Sequence, residues 1–350
     1  MKSNYEPLGK HIQLVDYRNS EEVTSTVLGI SIDKEFMPSV ANVIGTDLSR
    51  YKLISKGLFA CNPMHVGRDE RLPIALYEKD SPAIVSPAYF MFEIIDRDVL
   101  NEEYLMMWFR RPEFDRECWF MTDGSVRGGI TWDDLCRIKL PVPSYARQCE
   151  IVESYRAITD RIALKRAEND NLEAVLAASH SKMFFSKDTS EHSKLGELMT
   201  FGNGKSRPKT DGPIPVYGGN GVLSYTDHHN IENAVLIGRV GAYCGSVYLE
   251  QGICWVSDNA IFAKSKITKD EFFDYFLLKR LNLFNHHVGT GQQLLTQEIL
   301  NNIEVPKPVT EQIELFNRKA ASVFETIFTN SREIIRLQEL SDLLLSRLAG

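Results

Sequence analysis

The chain has 350 residues, room for two or three domains, and a formal net charge of −7, whereas proteins that bind nucleic acid on their own are more often basic. Its 43% hydrophobic and 25% charged residues are typical of a soluble globular protein, and no stretch approaches the roughly 18 apolar residues that indicate a membrane span. Six scattered cysteines without a C-x-x-C pair indicate free thiols in a reducing cytoplasm rather than a disulfide framework or a zinc site.

The first segment of the chain contains short predicted elements. Strands are predicted at residues 83–86 and 88–95, which are rich in β-branched and aromatic side chains. Residues 102–109 predict a helix. A glycine-rich turn at residues 123–129 precedes a short helix that Thr131 can cap.

A long helix is predicted from Gln148 to about Phe185. Its seam is the set of positions that alternate steps of four and three: Ile151, Tyr155, Ile158, Ile162, Lys165, Asn169, Leu172, Leu176, Ser179 and Met183. Seven of these ten residues are apolar, which is typical of a helix that packs on another helix along its length. At 1.5 Å per residue the helix would be about 55 Å long, so we expect it to hold other parts of the molecule apart.

The second segment follows a polar linker at residues 186–193 and is richer in glycine and β-branched residues. Residues 216–221 predict a turn, and residues 234–249 predict two strands around a glycine corner. Several parts correspond to the first segment: Leu195-Gly196 to Leu8-Gly9, residues 255–262 to the strand near 85–89, the helix at 272–281 to the helix near Tyr104, and residues 289–296 to 124–131.

A second long helix is predicted from Thr310, a suitable N-cap, to Leu348. Its seam consists of Ile313, Phe316, Ala320, Val323, Ile327, Asn330, Ile334, Leu337, Ser341, Leu344 and Leu348. Nine of these eleven residues are apolar, and adding 165 to each position of the first seam gives a position of the second. Two helices with matching seams in one chain are expected to pack on each other.

The same boundary stands before both long helices. Ile138-Lys139-Leu140-Pro141-Val142-Pro143 precedes Gln148, and Ile303-Glu304-Val305-Pro306-Lys307-Pro308 precedes Gln312. Each predicts a strand that ends in Pro-x-Pro, because proline blocks helix formation on its N-terminal side. The offset of 165 residues between the proline pairs indicates an internal repeat of a β-rich module followed by a helix.

No motif in the sequence predicts catalysis convincingly. Asn62-Pro63-Met64-His65 is similar to the Asn/Asp-Pro-Pro-aromatic motif of amino-methylating methyltransferases, but it lacks the second proline and the aromatic residue. Gly202-Asn203-Gly204-Lys205-Ser206 lacks the spacing of a phosphate-binding P-loop. Adjacent histidines at 228–229 and 286–287 do not form a compact metal site. We therefore expect no catalytic residue, metal ligand or cofactor.

Polar and basic residues in the predicted loops are the candidate DNA contacts, because such side chains bind phosphates and base edges. They are Lys205, Arg207, Lys209, Asn220, Arg239, Tyr243 and Gln292 in the second segment, and Arg68, Arg71, Tyr89 and Arg127 in the first. Neither segment is basic as a whole: residues 1–145 carry 17 Lys+Arg against 22 Asp+Glu, and residues 191–310 carry 11 against 12. A partner would therefore have to supply much of any salt-dependent affinity for DNA.

Taken together, the doubled Pro-x-Pro and helix framework resembles the specificity subunit of type I restriction-modification systems. The resemblance includes the motifs Tyr217-Gly218-Gly219-Asn220-Gly221, Gly238-Arg239-Val240-Gly241, Val256-Ser257-Asp258-Asn259 and Gly289-Thr290-Gly291, which look like a second target-recognition domain. Asn62-Pro63-Met64, followed by Val85-Ser86-Pro87-Ala88-Tyr89, looks like a variant of a first one.

The resemblance implies an α+β fold in which two β-rich target-recognition domains are separated by two long antiparallel helices that form a coiled coil. The expected division is residues 1–143 and 187–308 for the recognition domains, and 144–186 and 309–350 for the helices. Each domain would read half of a bipartite target in double-stranded DNA. The helices would dock methyltransferase (M) subunits, and restriction (R) subunits would complete the complex. The chain itself would not catalyse, and it would be cytoplasmic.

Three other interpretations remain open from the sequence. The chain could be the recognition subunit of a related system whose partner combines nuclease and methyltransferase. It could be a methyltransferase that uses Asn62-Pro63-Met64-His65. It could also be a scaffold whose helices only hold proteins together.

Overall fold

The structure is a computed structural model that describes residues 5–40, 45–64, 66–122, 128–186, 191–289 and 291–348. It divides into two compact units. Unit 1 comprises Met1–Leu164 and Ile334–Gly350, and unit 2 comprises Lys165–Glu333. With 42% helix and 26% strand, it confirms the α+β class. Within the described ranges, no helix is long and apolar enough to cross a membrane.

Unit 1 is built from short strands and helices. The strands are β1 Tyr5–Pro7, β2 Ile12–Leu14, β3 Val27–Ile30, β4 Phe36–Pro38, β5 Lys52–Ile54, β6 Phe59–Cys61, β7 Ile74–Leu76, β8 Ala83–Val85, β9 Phe90–Ile94 and β10 Lys139–Pro141. The helices are α1 Val66–Asp69, α2 Glu102–Phe109, α3 Pro112–Phe120, α4 Trp132–Arg137 and the first part of α5 Tyr145–Phe185.

The strands of unit 1 form small sheets. One has the order β2-β9-β6-β7, another β4-β3-β8-β5, and β1 pairs with β10. The pairing of β3 with β8 is parallel. Helix α2 covers the first sheet, where the stacked rings of Phe59 and Phe92 lie 5.0 Å apart and both contact Phe109. Fully buried aromatic groups of this size supply much of the apolar area that stabilises a core.

Unit 2 has longer strands. They are β11 His192–Lys194, β12 Met199–Asn203, β13 Ile214–Gly218, β14 Gly221–Thr226, β15 Ile231–Gly238, β16 Val247–Val256, β17 Ala260–Ser265 and β18 Glu304–Pro306. Its helices are α6 Leu195–Leu198, α7 Phe272–Arg280, α8 Gln297–Asn302, the second part of α5 and the first part of α9 Thr310–Arg347.

The main sheet of unit 2 has the same pairings as the two larger sheets of unit 1. Its order is β12-β17-β15-β16-β13-β14, so β12-β17-β15-β16 corresponds to β2-β9-β6-β7. The long strand β16 takes the places of both β7 and β8, so the parallel pair β13 and β16 corresponds to β3 and β8. The hairpin β13–β14 therefore takes the place that the hairpin β3–β4 takes in unit 1.

Elements 165 residues apart match in detail at the end of each unit. Helix α8 corresponds to α4, and β18 corresponds to β10. Thr131 caps α4 by accepting the Asp134 N–H at 3.2 Å, as predicted, and Thr296 caps α8 by accepting the Ile299 N–H at 3.2 Å.

The repeated Leu-Gly pair has a steric cause. A Cβ on Gly9 would lie 2.7 Å from the Cβ of Cys136, and one on Gly196 would lie 2.5 Å from the Asn301 Oδ1. Cys136 and Asn301 are again 165 residues apart. Each unit thus needs a glycine where its first turn meets the helix before the Pro-x-Pro boundary.

Three predicted details were wrong. The first long helix begins at Tyr145 rather than Gln148, directly after Pro143 and Ser144. Thr310 is the first residue of α9 rather than its N-cap. Helix α3 was not predicted, although its first residue is Pro112 and proline is favourable at the first position of a helix.

The glutamines that follow the two Pro-x-Pro boundaries, Gln148 and Gln312, do not have the same role. Gln148 is fully buried, its Oε1 accepts the Asn101 N–H at 2.9 Å, and its Nε2 donates to the Val99 carbonyl at 2.9 Å. Gln312 is exposed. In unit 2 the buried Asn317 has this role, because its Oδ1 accepts the Phe273 N–H at the start of α7 at 2.8 Å.

The seams of both long helices are buried. Every position of the two predicted seams is buried or half-buried. In unit 1, Val152 of α5 shares a core with Leu345 and Leu348 of α9. In unit 2, Leu176 shares a core with Phe316. In unit 1 an early position of α5 thus meets late positions of α9, and in unit 2 a late position of α5 meets an early position of α9, which is antiparallel packing.

Candidate nucleic-acid interface

Four loops of unit 2 meet where strands of its main sheet end. We call residues 217–221, 238–246, 257–259 and 288–295 the unit 2 loop cluster. The Arg239 N–H donates to the Asn259 carbonyl at 3.0 Å, and the Gly241 N–H donates to the Gln293 carbonyl at 3.0 Å. The Ser246 hydroxyl donates to the Gly219 carbonyl at 2.5 Å. Four separate parts of the chain thus form one surface, which contains all the second-segment motifs that carried the family resemblance, apart from the undescribed Thr290.

Glycine is required in this cluster for steric reasons. A Cβ on Gly238 would lie 2.1 Å from the Tyr243 carbonyl oxygen. Gly241 has φ +68° and Gly245 has φ +85°, a left-handed backbone that other residues rarely adopt. The glycine corner predicted from the sequence therefore packs the loops closely together.

Arg239 lies at the centre of the cluster. Its carbonyl accepts the Leu295 N–H at 2.9 Å, which fixes the backbone. The side chain is half-buried, and its buried Nε has no hydrogen-bond partner within the described ranges. Buried donors without an acceptor are rare in native proteins. The position of Arg239 therefore suits an acceptor that comes from another molecule.

The basic run beside the cluster is joined to it through the backbone. The Lys205 N–H donates to the Val256 carbonyl at 2.9 Å, and Lys205 forms an isolated bridge with Ser257. The side chains of Lys205, Arg207 and Lys209 are exposed. The basic run thus begins at Lys205, next to the 257–259 loop.

The remaining candidates of unit 2 are exposed in the cluster. Asn220 is at the tip of the β13–β14 hairpin, and Gln292 is in the 288–295 loop. The Tyr243 side chain is 51% exposed. The structure therefore brings together Asn220, Arg239, Tyr243 and Gln292, with the basic run along one side.

Unit 1 contains a corresponding pair of backbone contacts. The Ile130 N–H donates to the Pro63 carbonyl at 3.1 Å, as Leu295 does to Arg239 in unit 2. The Gly67 N–H donates to the Gly128 carbonyl at 3.0 Å, as Gly241 does to Gln293. Residues 62–64 thus correspond to residues 238–240, a relation that the sequence alone does not reveal.

Tyr89 and Asn62 lie together in unit 1. Burial raises the pKa of Tyr89, whose hydroxyl is close to the Asn62 side chain. The Asn62 Oδ1 accepts the Met64 N–H at 3.1 Å, which is a local turn contact. Of the methyltransferase-like motif, His65 lies outside the described residues.

The arginines predicted in unit 1 are held by neighbouring carboxylates. Arg68 donates to both carboxylate oxygens of Asp69, at 2.6 and 2.8 Å. Arg71 donates to Asp33 at 3.1 Å. These exposed pairs reduce the positive charge offered to a phosphate. The third arginine, Arg127, lies outside the described residues.

Sequence reasoning missed a residue that orders the β3–β4 hairpin. Lys34 has φ +65°, and its buried ammonium donates to Asp115 at 2.7 Å and to the Leu72 carbonyl at 2.8 Å. Asp115 also accepts the Leu72 N–H at 3.0 Å. The contacts span 38 and 81 residues, and a single lysine in a loop carries no signal of them.

The chain is similar in sequence and in fold to known proteins. Residues 187–343 match the family model of the type I restriction modification DNA specificity domain. The chain is 25% identical over 219 residues to the specificity subunit of the type I restriction enzyme EcoprrI of Escherichia coli, a match that covers 57% of this chain and about half, 53%, of that relative. The S subunit of a type I restriction-modification system from M. genitalium has a similar fold, with a TM-score of 0.61 over 99% of this chain and 96% of that one at 15% identity.

Proposed function

Because this chain resembles the specificity subunits of type I restriction-modification systems in sequence and in fold, we propose that it is the non-catalytic DNA-specificity subunit of such a complex. Each unit would read one half of a bipartite target in double-stranded DNA. The observation that supports the proposal is a pair of backbone contacts after the central strand, which Arg239 and Gly241 make in unit 2 and Pro63 and Gly67 make in unit 1.

The unit 2 loop cluster has side chains for both kinds of DNA contact. Arg239, Asn220 and Gln292 can form hydrogen bonds with base edges in the major groove. The exposed Lys205, Arg207 and Lys209 are suited to the phosphates, which position a protein without reading sequence. In unit 1, Arg68, Arg71, Tyr89 and Arg127 are the proposed contacts.

The negative net charge of the chain indicates that it would bind DNA together with another subunit. With a net charge of −7, the chain releases few counterions on its own when it meets DNA. Methyltransferase (M) subunits that bind beside it would supply the missing positive surface. Restriction (R) subunits would join the same complex for cleavage.

The paired helices would hold the M subunits and set the gap between the half-sites. This role rests on the internal repeat and on the antiparallel seams, which we propose form one coiled coil. The corresponding domain division is residues 1–143, 144–186, 187–308 and 309–350. A cytoplasmic location would follow from assembly on chromosomal DNA.

The test is methylation mapping in cells that carry this chain and its M partner. A bipartite methylated sequence is the expected result, whereas a continuous or single-half target would contradict the proposal. Arg239→Ala should weaken DNA binding while co-purification with the M partner is unchanged, and Lys269→Ala, an exposed residue outside the loop cluster, serves as the control. Equal DNA binding by both variants would favour a scaffold.

A second arm tests for catalysis by the chain itself. The purified chain without partners should not transfer methyl groups to DNA. If it does, and Asn62→Ala abolishes the transfer, the chain is an enzyme and the proposal is wrong.

A further inference from the structure

The β13–β14 hairpin reaches the unit 2 loop cluster with its tip. Strand β14 is the last strand of the main sheet, and within the described ranges its outer edge is not paired with another strand. The tip, Gly219-Asn220, lies between the other loops, because a Cβ on Gly219 would be 3.7 Å from both the Asn259 carbonyl oxygen and the Tyr243 Cβ. The hairpin is thus a two-stranded ribbon that ends at the proposed DNA surface.

The ribbon carries no charge between Asp211 and Asp227. Its exposed side chains are Asn220, Val222, Leu223 and Tyr225, of which Val222 is 43% exposed and Tyr225 is 57% exposed. An uncharged ribbon is poorly suited to phosphates, which bind cations. Amide and apolar groups are instead the groups that read base edges in the major groove, which admits a two-stranded ribbon.

Turn chemistry does not account for Asn220. Asparagine is common in turns because it tolerates a left-handed backbone. In this turn Gly221 takes that conformation, with φ +78°, and Asn220 does not. Within the described part of the chain no hydrogen bond is made by the Asn220 side chain. Its amide is therefore free to bind another molecule.

The tip is held rigidly before any DNA arrives. The Gly219 carbonyl accepts from Ser246, and the Tyr217 hydroxyl donates to Glu250 at 2.9 Å. The Tyr248 ring lies against Gly221, where a Cβ would be 3.3 Å from its edge. A contact made by such a tip loses little conformational freedom on binding.

We propose that this hairpin tip enters the major groove and reads an A·T base pair, with the Asn220 amide on adenine N6 and N7 and the Val222 methyl groups against the thymine methyl. The inference rests on the proposed function and adds to it the base pair and the residues. Asparagine matches the donor and acceptor of adenine in the major groove, and apolar groups match the thymine methyl.

The test uses the complex of the full chain with its M partner and a panel of duplexes. In each duplex one position of the mapped target is replaced by the other base pairs, and binding is measured for wild type, Asn220→Ala and Val222→Ala. Gln312→Ala is the matched control, because it removes an exposed amide on α9, outside the loop cluster.

Asn220→Ala should lose discrimination at one A·T position by about tenfold or more, the size of one bidentate base contact. Val222→Ala should affect the same base pair, and the positions of the other half-site should be unchanged. An unaltered preference at every position would overturn the inference and leave the proposed function standing. An equal loss of affinity for every duplex, in a variant whose melting temperature is unchanged, would also overturn the inference. Such a loss is typical of a phosphate contact rather than a base contact. A wild-type complex without a bipartite target would overturn both.

Discussion

Lys165 and Asn330 stand 165 positions apart at corresponding places in the two helix seams, and they contact each other: the Lys165 Nζ donates to the Asn330 Oδ1 at 2.9 Å. The Asn330 Nδ2 in turn donates to the Asn169 Oδ1 at 2.9 Å and to the Glu168 carboxylate at 3.0 Å. Three of the five polar seam residues, Lys165, Asn169 and Asn330, thus satisfy one another in one layer. Such a layer fixes the register of a helix pair, because any shift leaves its groups unpaired.

Replacing Asn330 tests this layer. Asn330 is 3% exposed, and Asn330→Ala removes one hydrogen-bond partner from each of Lys165, Asn169 and Glu168. The free energy of unfolding should fall by about 1–2 kcal/mol in urea titration. Gln338→Ala, which removes an exposed amide on the same helix, should change it by less than about 0.5 kcal/mol. Equal effects would contradict the polar layer.

A charge in the apolar part of the seam should cost more. Ile327 is half-buried against the unit 2 core, and Ile327→Asp places an unpaired carboxylate there. We expect a loss of about 3 kcal/mol or more in thermal or urea unfolding. The control is Leu315→Asp, since Leu315 is 40% exposed on the same helix. A seam variant as stable as its control would show that the seam is wrongly assigned.

Asn317 rather than Gln312 should anchor the second long helix to its unit. Asn317→Ala leaves the buried Phe273 N–H without its acceptor and removes one of the two donors to the Asp270 carbonyl, which also accepts from the Thr268 hydroxyl. The expected loss of stability is about 1–3 kcal/mol. Gln312→Ala should be nearly neutral because that side chain is exposed. Unfolding in urea distinguishes the two, and the reverse order would restore the correspondence of Gln148 with Gln312.

His180 should make unit 2 sensitive to acid. Its ring is 1% exposed among phenylalanine rings that include Phe184 and Phe273, and burial lowers its pKa from 6.5 to about 3, with Arg280 adding to the effect. Below pH 6.5 the unfolded chain therefore binds a proton that the folded chain does not. Stability is fully present above pH 6.5 and falls as the pH is lowered towards 3, by about 1.4 kcal/mol per pH unit from this group.

His180→Phe removes that proton-binding group. Urea titrations between pH 7.5 and pH 4 should show the wild type losing stability relative to the variant as the pH falls. If the free energy of unfolding changes with pH equally in the two proteins, His180 takes up its proton in the folded state as in the unfolded state, and its pKa is not lowered by burial.

The proposed spacer makes a prediction about the DNA target. Inserting about four residues between positions 186 and 190, at the end of the first long helix, should alter the number of unspecified base pairs tolerated between the half-sites. Methylation mapping of the variant complex measures that number. An unchanged gap would contradict the spacer role, whereas an unchanged pair of half-sites is expected.

Features set by neighbouring residues were predictable from the sequence. The seams, the Thr131 cap and the Pro-x-Pro boundaries follow from helical periodicity and from the backbone restrictions of proline, which act within a few residues. Matching positions at the offset of 165 then indicated the repeat of a β-rich module followed by a helix, and the family resemblance implied the α+β class. The seams, the cap and the boundaries each depend on a pattern that lies within a short stretch of the sequence.

Features set by distant residues were not predictable. The correspondence of Pro63 with Arg239 depends on hydrogen bonds to Ile130 and Leu295, far along the chain. The amide that binds the start of α7 belongs to Asn317 rather than Gln312, because an amide about one turn further along α9 reaches the same place. Of the candidate contacts, those in unit 2 converge because of the sheet order, which one sequence does not determine.

The β-rich part of each unit closes with a pair of short strands from its two ends. Residues Tyr5–Pro7 pair with Lys139–Pro141, and His192–Lys194 pair with Glu304–Pro306. A segment whose two ends are hydrogen-bonded neighbours presents the same junction to the rest of the chain, whatever lies between them. Such a segment can be replaced by another of different length and loop content without altering the helices that carry it. Under the proposed function, a new DNA preference would arise by substitution of a whole module between the strands of such a pair rather than residue by residue.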